Sequence, residues 1–138
     1  MIAALILFAV IVNRLRPQTF SAARRPRAVQ LELTVRDSPG LASVDRDVTL
    51  TLGRGEPARV IGRSSQADVG LLDPEVSRRH AQFDFNRGVV YLSDLGSSNG
   101  TFLNGKRLKN EGIEVRPGDD IDVGNTRIKV IATAPQWM

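Results

Sequence analysis

The sequence contains no cysteine. Disulfides and thiolate metal sites are therefore excluded, which fits a reducing compartment. A single histidine among 138 residues leaves no room for the paired-histidine patterns of metal hydrolases. Sustained helical periodicity is missing from residues 29–138, and acids are missing from the first 28. That last absence concentrates charge: Arg14, Arg16, Arg24, Arg25 and Arg27 are five of the 19 basic residues, and the remaining 14 face 15 acids. The net charge of +4 thus belongs to an arm, and the body is near neutral. A domain-wide electropositive face for nucleic acid is not indicated.

What is present begins with an apolar run, MIAALILFAVIV, followed by Asn13, Arg14, Leu15 and Arg16. As a helix the run covers ~18 Å, against roughly 30 Å of bilayer hydrocarbon. Its length also suits a signal peptide, but such a peptide needs positive charge ahead of the run, and here every charge follows it. We therefore expect residues 1–16 to form a short apolar membrane-anchor helix. Its arginines would be held on the cytoplasmic side and snorkel to the headgroups. Residues 17–28, with Pro17 and Pro26, are expected to be a basic juxtamembrane linker on an anionic lipid surface.

From Val29 the pattern changes to period two: Val29, Leu31, Leu33 and Val35 alternate with polar partners, and Val48, Leu50 and Leu52 repeat it. These are half-buried strands. Further strands are expected at 58–61, 69–72, 81–85, 89–92, 101–103, 121–123 and 126–132. Turn signals punctuate them, among them Asp73-Pro74, Asn86-Arg87-Gly88, Asn99-Gly100, Asn104-Gly105 and Pro117-Gly118. Many short strands with regular punctuation predict an all-β sandwich of two antiparallel sheets, with its loops gathered at the ends. One core of this kind fits the length and the 41% apolar content.

The stretch EVSRRHAQF, residues 75–83, holds Ser77 and the only histidine, His80. A serine nucleophile needs a base, an orienting group and an oxyanion hole, which usually converge from separate segments. Three-residue spacing supplies none of these, and Ser77, between Glu75 and Arg79, stands in no G-x-S-x-G elbow. His80, at the head of an apolar strand, reads better as a structural histidine. Asp119 and Asp120 resemble a catalytic or cation-binding pair, but their place beside Pro117-Gly118 makes a turn the better reading. If the loops around Gly62-Arg63, Ser77-Arg78-Arg79 and Ser97-Ser98-Asn99-Gly100-Thr101 share one end of the sandwich, a guanidinium, hydroxyls and amides face one spot. That inventory is nearly all donor, which suits a bound oxyanion.

Four pieces in order resemble the forkhead-associated domain, a phosphothreonine-peptide reader: Gly62-Arg63, Ser77-x-x-His80, SSNGTFLNG over 97–105, and RPGDDIDVG over 116–124. The resemblance covers 29–133 and leaves 134–138 as a tail. It implies that Arg63 and Ser77 bind phosphate, that Ser98 adds a hydroxyl, and that Asn99 holds the ligand's backbone. Arg78 or Arg79 would add charge or read a peptide side chain, while Gly62, His80, Gly100, Thr101 and Asn104 support the loops. Members commonly prefer phosphothreonine over phosphoserine. Ser98 stands where several relatives carry threonine, and the hydroxyl is kept.

The expected protein is then a binding module, not an enzyme, with no cofactor and no metal. Its partner is a threonine-phosphorylated protein, either a serine/threonine kinase or a substrate of one, and no nucleic acid is expected. It would be a single-pass protein of the cell membrane, with the β domain cytoplasmic, similar to small tethered actinobacterial members of pathways governing cell division. The alternative is binding of acidic lipid or nucleic acid through the arm, with the β domain a phospho-independent scaffold.

Overall fold

The alternating run from Val29 forms the longest-range strand pairing among the described residues. In the computed structural model, which describes residues 25–36 and 45–137, β1 (Ala28–Arg36) pairs antiparallel with both β2 (Arg46–Gly53) and the last strand, β11 (Thr126–Gln136). The expected anchor over 1–16 and most of the linker over 17–28 lie outside the described residues. Within the described residues no helix is long and apolar enough to cross a membrane.

Between these strands the chain lays down β3 (Arg59–Gly62), β4 (Val69–Gly70), β5 (Ala81–Asn86), β6 (Val89–Asp94), β7 (Thr101–Leu103), β8 (Lys106–Arg107), β9 (Ile113–Glu114) and β10 (Asp120–Val123). Two sheets result, ordered β2-β1-β11-β10-β7-β8 and β4-β3-β5-β6-β9. Their inner faces bury Leu31, Leu33, Val35, Leu52, Ile61, Phe83, Leu92, Ile121 and Ile128 almost completely. Each such side chain is stabilised by about 1.5–3 kcal/mol on leaving water, and this core holds the two sheets face to face.

The expected antiparallel order fails at one place. β3 and β4 run parallel, with Ile61 beside Val69 and Gly62 beside Gly70. The reason lies in Asp68, whose carboxylate accepts from the Val60 amide at 2.8 Å and pairs with Arg59. Held there, the 63–68 loop runs back along β3 before Val69 starts upward again. β11 also departs from simple alternation. Its partner on β1 shifts between Glu32 and Leu33, which steps over Ile131 and leaves that side chain exposed. The bulge keeps Leu33 and Val35 inward while pairing continues to Gln136, beyond the expected domain end at 133. The two-residue strands β8 and β9 carry no period that a sequence pattern can register.

Pairing fixes which loops meet. Ile61, Ala81 and Asp94 lie in register across β3, β5 and β6, so the loops after β3, before β5 and after β6 share one end. Asn86 and Val89 mark the other end.

Candidate functional site

At the shared end, the segment before β5 runs beside the end of β3 through backbone bonds. The amides of Arg63 and Ser64 donate to the carbonyls of Ser77 and Arg78, and that of His80 to Ile61, at 2.9–3.1 Å. Gly62 is required by this approach, because a Cβ there would lie 2.0 Å from the Arg78 carbonyl oxygen. The exposed Arg63 donates its Nε to the Val76 carbonyl at 3.1 Å, which directs the guanidinium along the 76–77 segment. Neither acid near it in sequence takes its charge: Asp68 pairs with Arg59, and Asp73 binds the turn at 125–126.

His80 is fully buried and joins two loops. Its Nδ1 accepts from the Ser77 amide at 3.0 Å, so Nε2 carries the proton and donates to the Gly100 carbonyl at 2.8 Å. The ring's one lone pair is thereby occupied. His80 cannot deprotonate the Ser77 hydroxyl in this arrangement, and Ser77–His80 is not a nucleophile–base pair. Ser77 Oγ instead accepts from the Ser98 amide at 3.2 Å, leaving its own hydrogen to donate outward.

The third loop is built around a residue that the sequence reading did not single out, Asp94. One carboxylate oxygen accepts from the amides of Gly96 and Ser97, the other from the hydroxyls of Ser97 and Thr101. Ser97 Oγ accepts in turn from the Gly100 amide, and Gly100 takes a φ of +87° that suits glycine. Burial works to raise the Asp94 pKa, but these hydrogen bonds outweigh it and hold it below the usual carboxylate range. Asp73 behaves alike: burial is overcome by bonds from Glu75, Thr126 and Asn125. A depressed folded-state pKa gives stability that is present above the ordinary carboxylate value and lost as pH falls through the folded value. We expect Asp94→Asn to lower stability near pH 6 by about 1–3 kcal/mol, with the gap from wild type narrowing at about pH 3. Urea unfolding at the two pH values checks both parts.

Arg63, Ser77, Ser98, Gly62, His80, Gly100 and Thr101 are thus brought into one connected rim. Arg78 and Arg79 flank it, exposed and without an ion pair among the described residues. Asn99 is also at the rim, but its amide nitrogen is occupied by the backbone and side chain of Glu75 at 2.8 and 3.1 Å, which leaves Oδ1 as its outward group. Asn104 is elsewhere. It sits at the far end of β7 and binds Asp119 and the Asp120 amide, bracing the β7–β8 turn rather than the rim. Asp119 also accepts from the Arg116 amide at 2.8 Å, and Asp120 lies 3.4 Å from Lys129, so the acid pair serves its turn. No cluster of metal-ligating side chains occurs among the described residues.

The rim offers a guanidinium, one free hydroxyl hydrogen on Ser77, the Ser98 hydroxyl and two flanking arginines. Chemically it fits a compact, multiply charged oxyanion.

Comparison with known proteins agrees with this geometry. A model of the FHA (forkhead-associated) domain matches residues 59–124. The oxoglutarate dehydrogenase inhibitor of Corynebacterium efficiens is 36% identical over 77 residues, covering 56% of this chain and 53% of that protein. The glycogen accumulation regulator GarA of Mycolicibacterium smegmatis is 35% identical over 81 residues, covering 59% and 49%. The chain thus spans about half the length of the curated relatives it matches. An FHA domain solved in a study of phosphothreonine-dependent FHA domain interactions superposes with a TM-score of 0.58 at 32% identity, covering 73% of this chain and 96% of that one.

Proposed function

For a chain that belongs to the FHA-domain family, we propose a phosphothreonine reader that draws a phosphorylated protein, itself a serine/threonine kinase or its substrate, to the inner face of a membrane. Arg63 and Ser77 bind the phosphate, Ser98 adds a hydroxyl, and Asn99 receives a peptide amide on its free Oδ1. Arg78 and Arg79 add long-range attraction for the anion.

The observation that carries this reading is the link between loops. Arg63 is hydrogen-bonded to the Val76 carbonyl, and the hydroxyl of the next residue, Ser77, receives the Ser98 amide. Three segments remote in sequence therefore present donors as one unit before any ligand arrives. Preorganisation of that kind lowers the ordering cost of binding. Support for phosphothreonine specifically comes from the solved FHA domain whose interactions depend on it. Support for membrane recruitment comes from the apolar run and the arginines after it.

The test is a titration of the full chain against a phosphothreonine-peptide library. Retained phosphothreonine peptides should bind at least about tenfold tighter than their unphosphorylated forms, a difference of ~1.4 kcal/mol. Equal binding of the two forms, or none of either, would end the proposal.

A further inference from the structure

At the end of the sandwich opposite the rim, a groove of about 570 Å³ is lined by Arg25, Arg27, Arg54 and Arg87, with Glu56 as its one acid. Backbone bonds hold this end together. The Arg54 amide donates to the Arg27 carbonyl, and the Arg27 amide to the Gln136 carbonyl. None of the four arginines forms an ion pair with a described residue, and Glu56 faces Arg59 at 3.9 Å. The only tryptophan, Trp137, directly follows Gln136 here and is 55% exposed.

Arg87 is placed at local cost. It is the first turn residue of the β5–β6 hairpin, with a φ of +52° and Gly88 behind it at +85°. A two-residue turn of this kind favours asparagine or glycine at that position, so the arginine is not there for the turn's sake.

We infer that this basic end is a docking surface for an anionic phospholipid headgroup layer, which holds the sandwich upright with its phosphate-reading rim facing away from the bilayer. The inference rests on the membrane-anchoring part of the proposed function. Three features favour a lipid surface over a soluble anion. A tryptophan, whose ring is at home at a membrane interface, directly follows Gln136, to which Arg27 is bonded. In sequence, the apolar run of residues 1–12 and Arg14, Arg16 and Arg24 precede Arg25, which lines this groove. And the rim that would receive a partner is at the other end of the strands, so docking leaves it free.

The test uses the full chain reconstituted with vesicles of phosphatidylcholine alone or mixed with phosphatidylglycerol, reading Trp137 emission. We expect emission to move to shorter wavelength in the anionic vesicles only, and to return in about 0.5 M salt, where screening is nearly complete beyond a few ångströms. Arg54→Ala combined with Arg87→Asn should reduce the docked-to-free ratio at least about tenfold. The asparagine suits the turn, so this variant should melt no lower than wild type and should bind phosphopeptide unchanged. Identical emission in the two vesicle types, or a shift that survives the double substitution, overturns the inference. So does loss of the shift to duplex DNA added at the same phosphate concentration, which would reassign the surface to nucleic acid. Failure of the wild type to bind phosphopeptide while the shift persists would sink the phosphothreonine reading alone.

Discussion

Replacing Arg63 by alanine is expected to weaken phosphopeptide binding at least about tenfold, and as much as roughly a hundredfold, with the melting temperature little changed. A charge-assisted bond to a dianionic phosphate contributes about 1.5–3 kcal/mol, which sets that range. The fold should tolerate the loss because the Arg63 side chain is exposed and gives up one bond, to the Val76 carbonyl. Ser77→Ala should have an effect of similar direction by a different route. It removes a donor and also deprives the Ser98 amide of its acceptor. The two substitutions should therefore fall short of additivity when combined, since both act on one preorganised unit. Isothermal titration of the single and double variants decides it. Curves for Arg63→Ala that overlay the wild type would remove the basis of the binding mechanism.

The largest stability effect is expected at His80. The ring is fully buried and bonded at both nitrogens, so its removal leaves the Ser77 amide and the Gly100 carbonyl without partners. Each unsatisfied group costs about 1–3 kcal/mol, and truncation adds the cost of a cavity. His80→Ala should thus lose about 3–5 kcal/mol, or roughly 10–20 °C in Tm for a domain of this size. His80→Phe keeps most of the volume and should recover only part of that. Thermal unfolding by circular dichroism measures both. Phosphopeptide binding should fall as well, because the ring ties the Ser77 loop to the Gly100 turn. A variant that melts like wild type yet binds nothing would place His80 among the ligand-contacting groups instead.

Much of this architecture was legible from local chemistry. Alternation marked β1, β2, β5 and β11 because each buries one face, and the paired Asn/Gly turns marked where they end. The rim was legible through resemblance, since Ser77 and Ser98 lie 14 and 35 positions beyond Arg63 and no spacing rule brings the three together. Other features had no periodic or compositional signal. The parallel β3–β4 pair depends on where one carboxylate, Asp68, finds an amide. Asn104 could not be separated from the rim residues by sequence because it lies in the same SSNGTFLNG run, and only the three residues of β7 carry it away from the rim to that strand's far end. Asp94 was the avoidable omission. An aspartate followed by Gly-Ser two and three residues on is the pattern of a side chain that bonds its own turn, and it proved to be the organiser of the third loop.

The pairing of β1 with β11 bears on mechanics. The chain enters at Ala28 and leaves at Gln136, and these two residues are direct neighbours across the pair. Tension applied between whatever precedes the one and whatever follows the other is delivered to the outermost hydrogen bond first, then to the next, as in opening a zip. A load of that geometry meets rungs singly rather than shearing the whole ladder at once, so the domain yields gradually from the terminal end while the loops that face a partner remain the last part to be disturbed.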